Sequence, residues 1–142
     1  MGAAMISVLI AEDHGIVRMI LRQILEKDDE IQVVAIATNG QEAVDESVAH
    51  CPNVAMMDVS MPTMDGIEAT KHIHVKCPDI YVLMVSTYDT PYYIRRSIEA
   101  GALGYILKDV VSKDLITAVR TVSQGNRYFS KQIADLAQLY IK

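Results

Sequence analysis

Four short apolar runs in this chain each end in a residue able to do chemistry. Ile6–Ala11 runs into Glu12 and Asp13, Val54–Met57 into Asp58, Ile80–Val85 into Ser86, and Gly104–Leu107 into Lys108. Singly, each has an ordinary explanation. Adjacent acids are commonly solvated loop residues, a serine after a strand is usually a cap, and a lone lysine is usually surface. Their recurrence at successive run ends is what asks for a reason. If the runs are parallel strands of one sheet, their ends share an edge, and three carboxylates, a hydroxyl and an ammonium converge in one cleft. Crowded carboxylates repel one another unless a cation sits among them. Hard oxygen ligands with room for water suit magnesium, which typically bridges a few carboxylates to a phosphate. A lysine supplies a point charge for a phosphoryl oxygen and a serine a hydrogen bond. A carboxylate can itself be the nucleophile, giving an aspartyl phosphate. Phosphoryl transfer asks mainly for positioning and charge neutralisation, and this set offers both. No Gly-x-x-x-x-Gly-Lys loop is present, so the site does not look built for a nucleotide.

The elements that must position these groups are legible in the hydrophobic pattern. Ile6–Ala11 and Val54–Met57 have the near-continuous apolar profile of buried parallel strands. Ile31–Ala37 is a further strand, rich in β-branched residues. After the first strand, Ile16, Val17, Ile20, Leu21, Ile24 and Leu25 recur at helical spacing. A second helix is expected from about Gln41 to His50, after the Asn39-Gly40 turn. Pro62 stops the third strand from continuing, and Asp65-Gly66 supplies turn chemistry before a third helix that stops before Pro78. Pro91 is placed for the first turn of a fourth helix ending at Gly101. Ser112 is expected to cap a fifth helix that stops at Gly125. Ser130 is expected to cap a last helix with Ile133, Leu136, Ala137, Tyr140 and Ile141 on one stripe. Strands alternating with helices imply an α/β fold with a doubly wound, five-stranded parallel sheet and an extra C-terminal helix.

Composition narrows the classes. The chain has 142 residues, 51% hydrophobic and 22% charged, which suits one globular domain. Its formal net charge of −5 argues against nucleic acid as a direct partner, since phosphate contacts need clustered Lys and Arg. Cys51 and Cys77 have no Cys-x-x-Cys or metal-ligand spacing and are expected to be reduced, partly buried small hydrophobes. No apolar run is long enough to span a membrane and no secretory signal is read at the N-terminus. Gly2-Ala3-Ala4 is expected to be an appended scar ahead of the domain.

The acid pair Glu12-Asp13, the run Asp58-Val59-Ser60-Met61-Pro62-Thr63-Met64-Asp65-Gly66, Ser86, and the segment Ala100–Lys108 together resemble the receiver domain of a two-component response regulator. The match spans roughly residues 5 to 125, with 126–142 as a C-terminal linker helix. Glu12-Asp13-His14, Gly104–Asp109 and Gly125–Ser130 are similar to the NarL/FixJ branch, whose output is a LuxR-type helix-turn-helix. The resemblance implies a flavodoxin-like strand order 2-1-3-4-5. It implies Asp58 as phosphoacceptor from a sensor histidine kinase. Magnesium would be held by Asp13, Asp58 and the Ser60 carbonyl, with Glu12 acting mostly through the ion's waters. Lys108 would contact the phosphoryl group, and Ser86 with Tyr105 would form the switch pair. It further implies a cytoplasmic protein, a possible homodimer on phosphorylation, and DNA contact only through an output domain absent from this chain. His14 is expected to cap the first helix rather than bind metal. Gly15 stands where the branch usually has proline, Asp109 where many receivers have proline, and Thr87 where receivers favour a smaller residue.

Other readings of the same residues fit less well. A haloacid dehalogenase-type phosphatase wants a second Asp two residues after the nucleophile, where Ser60 stands. A receiver-like interaction module that never takes phosphate has no use for the full acid set with Lys108. A flavin site would need a phosphate-cradling loop where Glu12-Asp13 carries the wrong charge.

Overall fold

The computed structural model describes residues 5–141. The Gly2-Ala3-Ala4 segment lies outside them. The chain runs β1 (Ile6–Ala11), α1 (Gly15–Glu26), β2 (Ile31–Ala37), α2 (Gly40–His50), β3 (Val54–Asp58), α3 (Gly66–Lys76), β4 (Tyr81–Ser86), α4 (Pro91–Glu99), β5 (Gly104–Leu107), α5 (Val111–Ser123), β6 (Tyr128–Phe129) and α6 (Ala134–Gln138). The sheet is all parallel, in the order β2-β1-β3-β4-β5-β6. The five expected strands are there in the expected order, and a sixth closes the β5 edge.

Two apolar layers sandwich the sheet because strand residues alternate faces. On one side Leu9, Met57, Met84 and Tyr105 meet α2, α3 and α4. On the other, Ile10, Met56, Leu83 and Ile106 meet Leu21 and Leu25 of α1 and Leu115, Val119 and Val122 of α5. The methionines of β3 and β4, Met56, Met57 and Met84, are buried core filling. Asn39 and Asp65 cap α2 and α3 by accepting from the backbone N–H of Glu42 and Glu68.

The structure departs from the sequence expectations at several points. Ser112 does not cap α5. A 3₁₀ turn over Lys108–Val110 feeds straight into the helix and leaves Ser112 within its first turn. Ser130 does not cap a helix with its side chain either. Its hydroxyl accepts from the Leu107 N–H at 2.9 Å, across the sheet edge. The last helix is one short turn, preceded by a 3₁₀ turn over Lys131–Ile133, and its stripe folds back on the domain. Ile133 and Ala137 are buried in the α3–α4 core, and Leu136 and Tyr140 pack against it. The apolar periodicity of α1 overstates its burial. Leu21 and Leu25 are inside, but Ile16, Met19 and Ile20 are exposed. Both cysteines are free, Cys77 half-buried as expected and Cys51 exposed, not partly buried.

Candidate functional site

The C-terminal ends of β1, β3, β4 and β5 bring the sequence-selected groups onto one edge. Asp58 ends β3 and is 6% exposed. Gly66 makes the loop after it possible. Its N–H donates to the Val59 carbonyl at 2.8 Å, and a Cβ there would overlap the Asp58 carbonyl oxygen, so α3 can start this close to the acid only without a side chain. Thr63, in the same loop, holds φ at 69°, a left-handed conformation that sequence alone gives no reason to expect.

Lys108 reaches across from the end of β5. Its Nζ lies 3.2 Å from Asp58 Oδ2, as a hydrogen bond, and 2.8 Å from Glu12 Oε1. The second contact is an ion pair without hydrogen-bond alignment, so the sealed Oε1 has a charge beside it but no aligned donor. Asp58 Oδ1 accepts from the Ser60 N–H at 3.3 Å. Glu12 is almost wholly buried, its backbone carbonyl held by Arg18 Nη1 at 2.8 Å. Arg18 carries no sequence signal for this site beyond a position one turn into α1.

The electrostatics separate the acids. Burial pushes the Asp58 carboxyl up to about 6, the negative charge of Glu12 adds to this, and Lys108 opposes it. Burial also acts upward on Glu12, but Lys108 and the His14 N–H outweigh it and hold the carboxyl below its usual range. Lys108 is disfavoured by burial and favoured more by Glu12 and Asp58, so its ammonium lies above its ordinary value. Any proton on the acid pair therefore sits on Asp58, while Glu12 and Lys108 stay charged.

Glu12, Asp13, His14 and Asp58 place a ligand atom each within 4.8 Å of one another. Asp13 Oδ1 is buried and accepts no hydrogen bond. Buried polar atoms are nearly always partnered, so an orphaned carboxylate oxygen facing two others is what a hard cation would satisfy. Three ionised carboxylates against one ammonium leave two negative charges, the charge of a divalent ion. The residues present fit magnesium. His14 stands at the N-cap position of α1 but its ring does not cap the helix. Its Nδ1 turns back to Glu12 Oε2 and Asp13 Oδ1, at 3.2 Å from each. Capping is therefore not what its side chain does.

Ser86 and Tyr105 lie on one side of this cleft. Ser86 Oγ accepts from the Tyr88 N–H at 2.9 Å, and Tyr105 Oη donates to the Tyr88 carbonyl at 2.6 Å. Tyr105 has no solvent exposure, and burial pushes its hydroxyl up to about 12. A fixed edge tyrosine with its hydroxyl in water is thereby excluded. Both residues are tied to the backbone of Tyr88. A cleft of about 520 Å³ opens over Asp58, lined also by Asp13, Ser60, Thr87, Tyr88 and Lys108.

A family model described as the response regulator receiver domain matches residues 8–120. The chain is 35% identical over 128 residues to the transcriptional regulatory protein DegU of Brevibacillus brevis, covering 90% of this chain and 54% of that protein. It is 38% identical over 138 residues to the response regulator GacA of Pseudomonas viridiflava, covering 97% and 64%. The chain thus spans about half to two thirds of these relatives. Among solved structures, a LuxR-family two-component response regulator from an Aurantimonas species superposes with a TM-score of 0.90 at 29% identity, covering 96% of this chain and 97% of that one. A LuxR-family DNA-binding response regulator from Staphylococcus aureus superposes with a TM-score of 0.79 at 28% identity, covering 84% and 99%.

Proposed function

This chain belongs to the response regulator receiver domain family, and we propose that within it Asp58 is the phosphoacceptor, taking a phosphoryl group from the phosphohistidine of a sensor kinase. The observation that carries the reading is the Lys108 bridge between Glu12 and Asp58 beside an acid, Asp13, whose buried oxygen accepts no hydrogen bond. Asp58 attacks phosphorus as a carboxylate, an O–P bond forms, the P–N bond to the donor breaks, and the imidazole leaves with the electron pair. A carboxyl titrating near 6 is mostly ionised at neutral pH, so the nucleophile needs no separate base. Lys108 Nζ neutralises charge that develops on the phosphoryl oxygens. Asp13, Asp58 and the Ser60 carbonyl would hold magnesium, with Glu12 behind them, and the ion would supply further charge neutralisation. In this reading Ser86 is the hydroxyl that meets a phosphoryl oxygen, and Tyr105 the ring that senses it through the Tyr88 carbonyl.

The exposed apolar patch of Ile16, Met19 and Ile20 on α1 begins two residues after His14, at the rim of the cleft. We assign it to the kinase, whose phosphohistidine has to enter there. The rest of the reading follows the relatives, which are transcriptional regulators: a cytoplasmic signalling protein, a homodimer formed on phosphorylation, and DNA reached only through an output domain. No helix among the described residues is long and apolar enough to cross a membrane. The C-terminal stripe packs on the domain's own core, so the dimer interface is assigned elsewhere.

Incubation with acetyl phosphate and magnesium followed by borohydride reduction tests the assignment, since an acyl phosphate is reduced to an alcohol where it formed. The reduced residue should map to position 58. Reduction at another carboxylate would overturn the role given to Asp58.

A further inference from the structure

The segment after α5 makes contacts that a mere connector does not need. Residues Gln124–Arg127 turn the chain, with Gly125 at φ 83°. Tyr128 and Phe129 then add a strand to β5, Tyr128 opposite Gly104 and Phe129 opposite Tyr105. The Ser130 N–H donates to the Tyr105 carbonyl at 3.0 Å, and the fully buried Ser130 hydroxyl accepts from Leu107 at 2.9 Å. These bonds satisfy an edge that would otherwise stand open. Ile133 and Ala137, 2% and 0% exposed, then anchor the segment in the same core as Ile94 and Tyr105.

Tyr105 is the residue all of this converges on. Its backbone is bound by the strap, its ring is sealed in the core that holds the strap's anchors, and its hydroxyl is bonded to Tyr88 on the rim of the acceptor cleft. An outward swing of the ring would have to break the Tyr88 bond and open the core that also holds Ile133 and Ala137. We propose that residues 128–140 are a strap that locks Tyr105 inward, and that a docked strap and an occupied acceptor site favour one another. This inference rests on the phosphoacceptor reading of Asp58 and extends it to a regulatory contact.

The direction follows from the loop. A phosphoryl group at Asp58 brings new acceptor oxygens beside Ser86, Thr87 and Tyr88. Ordering that segment fixes the Tyr88 carbonyl, which holds the Tyr105 hydroxyl, and the fixed ring keeps the strap's anchors in place. Linkage makes the coupling reciprocal: weakening the strap has to weaken binding at the cleft by the same factor.

Hydrogen exchange on the full chain, with and without beryllofluoride and magnesium, tests the forward half. Amides of residues 126–137 should slow by about five-fold or more on addition, together with those of the loop after Asp58. Slowing at the loop with no change in the strap would overturn the lock and leave the phosphoacceptor reading intact. No change at either would overturn the phosphoacceptor reading and the lock with it. The reverse half uses Ile133→Asp, and Ser130→Ala as a milder lesion that keeps the core. Each should speed exchange in the strap and weaken beryllofluoride binding, followed by fluorine NMR, although neither side chain lines the cleft. A variant whose strap is demonstrably undocked, yet which binds beryllofluoride at full affinity, would contradict the coupling.

Discussion

Two charged clusters in this molecule each join one cation to two acids, and they are built to opposite ends. At the foot of α5, Arg120 forks onto Asp28 with Nε and Nη2 at 2.8 Å and reaches Glu30 at 2.7 Å, while Asp28 also accepts from the Glu30 N–H. The Glu30 N–H first and Arg120 second hold Asp28 below its ordinary range. Every charge there has its donors, near solvent. At the acceptor edge, Lys108 must serve Glu12 and Asp58 at once, two buried oxygens accept no aligned hydrogen bond, and Asp58 is pushed up to about 6. The first cluster ties α5 to the β1–β2 side of the domain. The second is left incomplete in a way that a cation and a phosphoryl group would complete. Chemistry shows in the unsatisfied cluster, not in the more numerous bonds of the satisfied one.

The largest effect expected from breaking this contrast is kinetic. Lys108→Ala should slow phosphorylation by acetyl phosphate by about a hundred-fold, the scale of removing one preorganised charge from a transition state. Arg120→Ala should leave that rate unchanged. Equal slowing by both, in a mass-resolved time course, would erase the distinction between the clusters.

Gly66→Ala should come next, in stability. Its Cβ would meet the Asp58 carbonyl, a backbone atom that cannot move aside cheaply, and a loss of about 2–3 kcal/mol is expected from such overpacking. A denaturant midpoint equal to that of the parent would contradict the close approach.

Asp58→Asn should do the reverse. A carboxyl raised from 3.8 to about 6 binds its proton more tightly in the folded chain than in the unfolded one. Its contribution to stability is complete below pH 3.8 and lost as pH rises through about 6. At pH 7.5 the ionised acid is therefore a burden, and its removal should stabilise the chain by about 1–2 kcal/mol. At pH 4 the two proteins should melt together, and magnesium should narrow the gap at pH 7.5. A gap that widens on acidification would reverse the sign. The smallest effect is that of Arg120→Ala on melting, a slight drop that shrinks further in salt, because these charges are near solvent.

How much of this could be seen in the residues depends on what fixed each feature. The strand ends were legible because near-continuous apolar runs stop abruptly at Asp58, Ser86 and Lys108, and a parallel sheet leaves no choice about which edge those ends share. His14 takes the N-cap position that the sequence suggests, but that position says where the backbone is, not where the ring turns. Ser130 was misjudged for a related reason. A serine before an apolar stripe reads as a cap, but the β5 edge, distant in sequence, offered the Leu107 N–H instead. The exposed face of α1 was invisible to periodicity, which counts apolar residues without knowing which of them meet the sheet. Local pattern placed the elements; contacts made across long sequence separations decided what their side chains do.

The central claim is that one carboxylate, Asp58, takes the phosphoryl group in a cleft that needs magnesium. Intact mass after incubation with acetyl phosphate tests it most directly. The parent chain with magnesium should gain a single phosphate, and both the parent with chelator and Asp58→Ala with magnesium should gain none. Stoichiometric gain of one phosphate by Asp58→Ala would contradict the account.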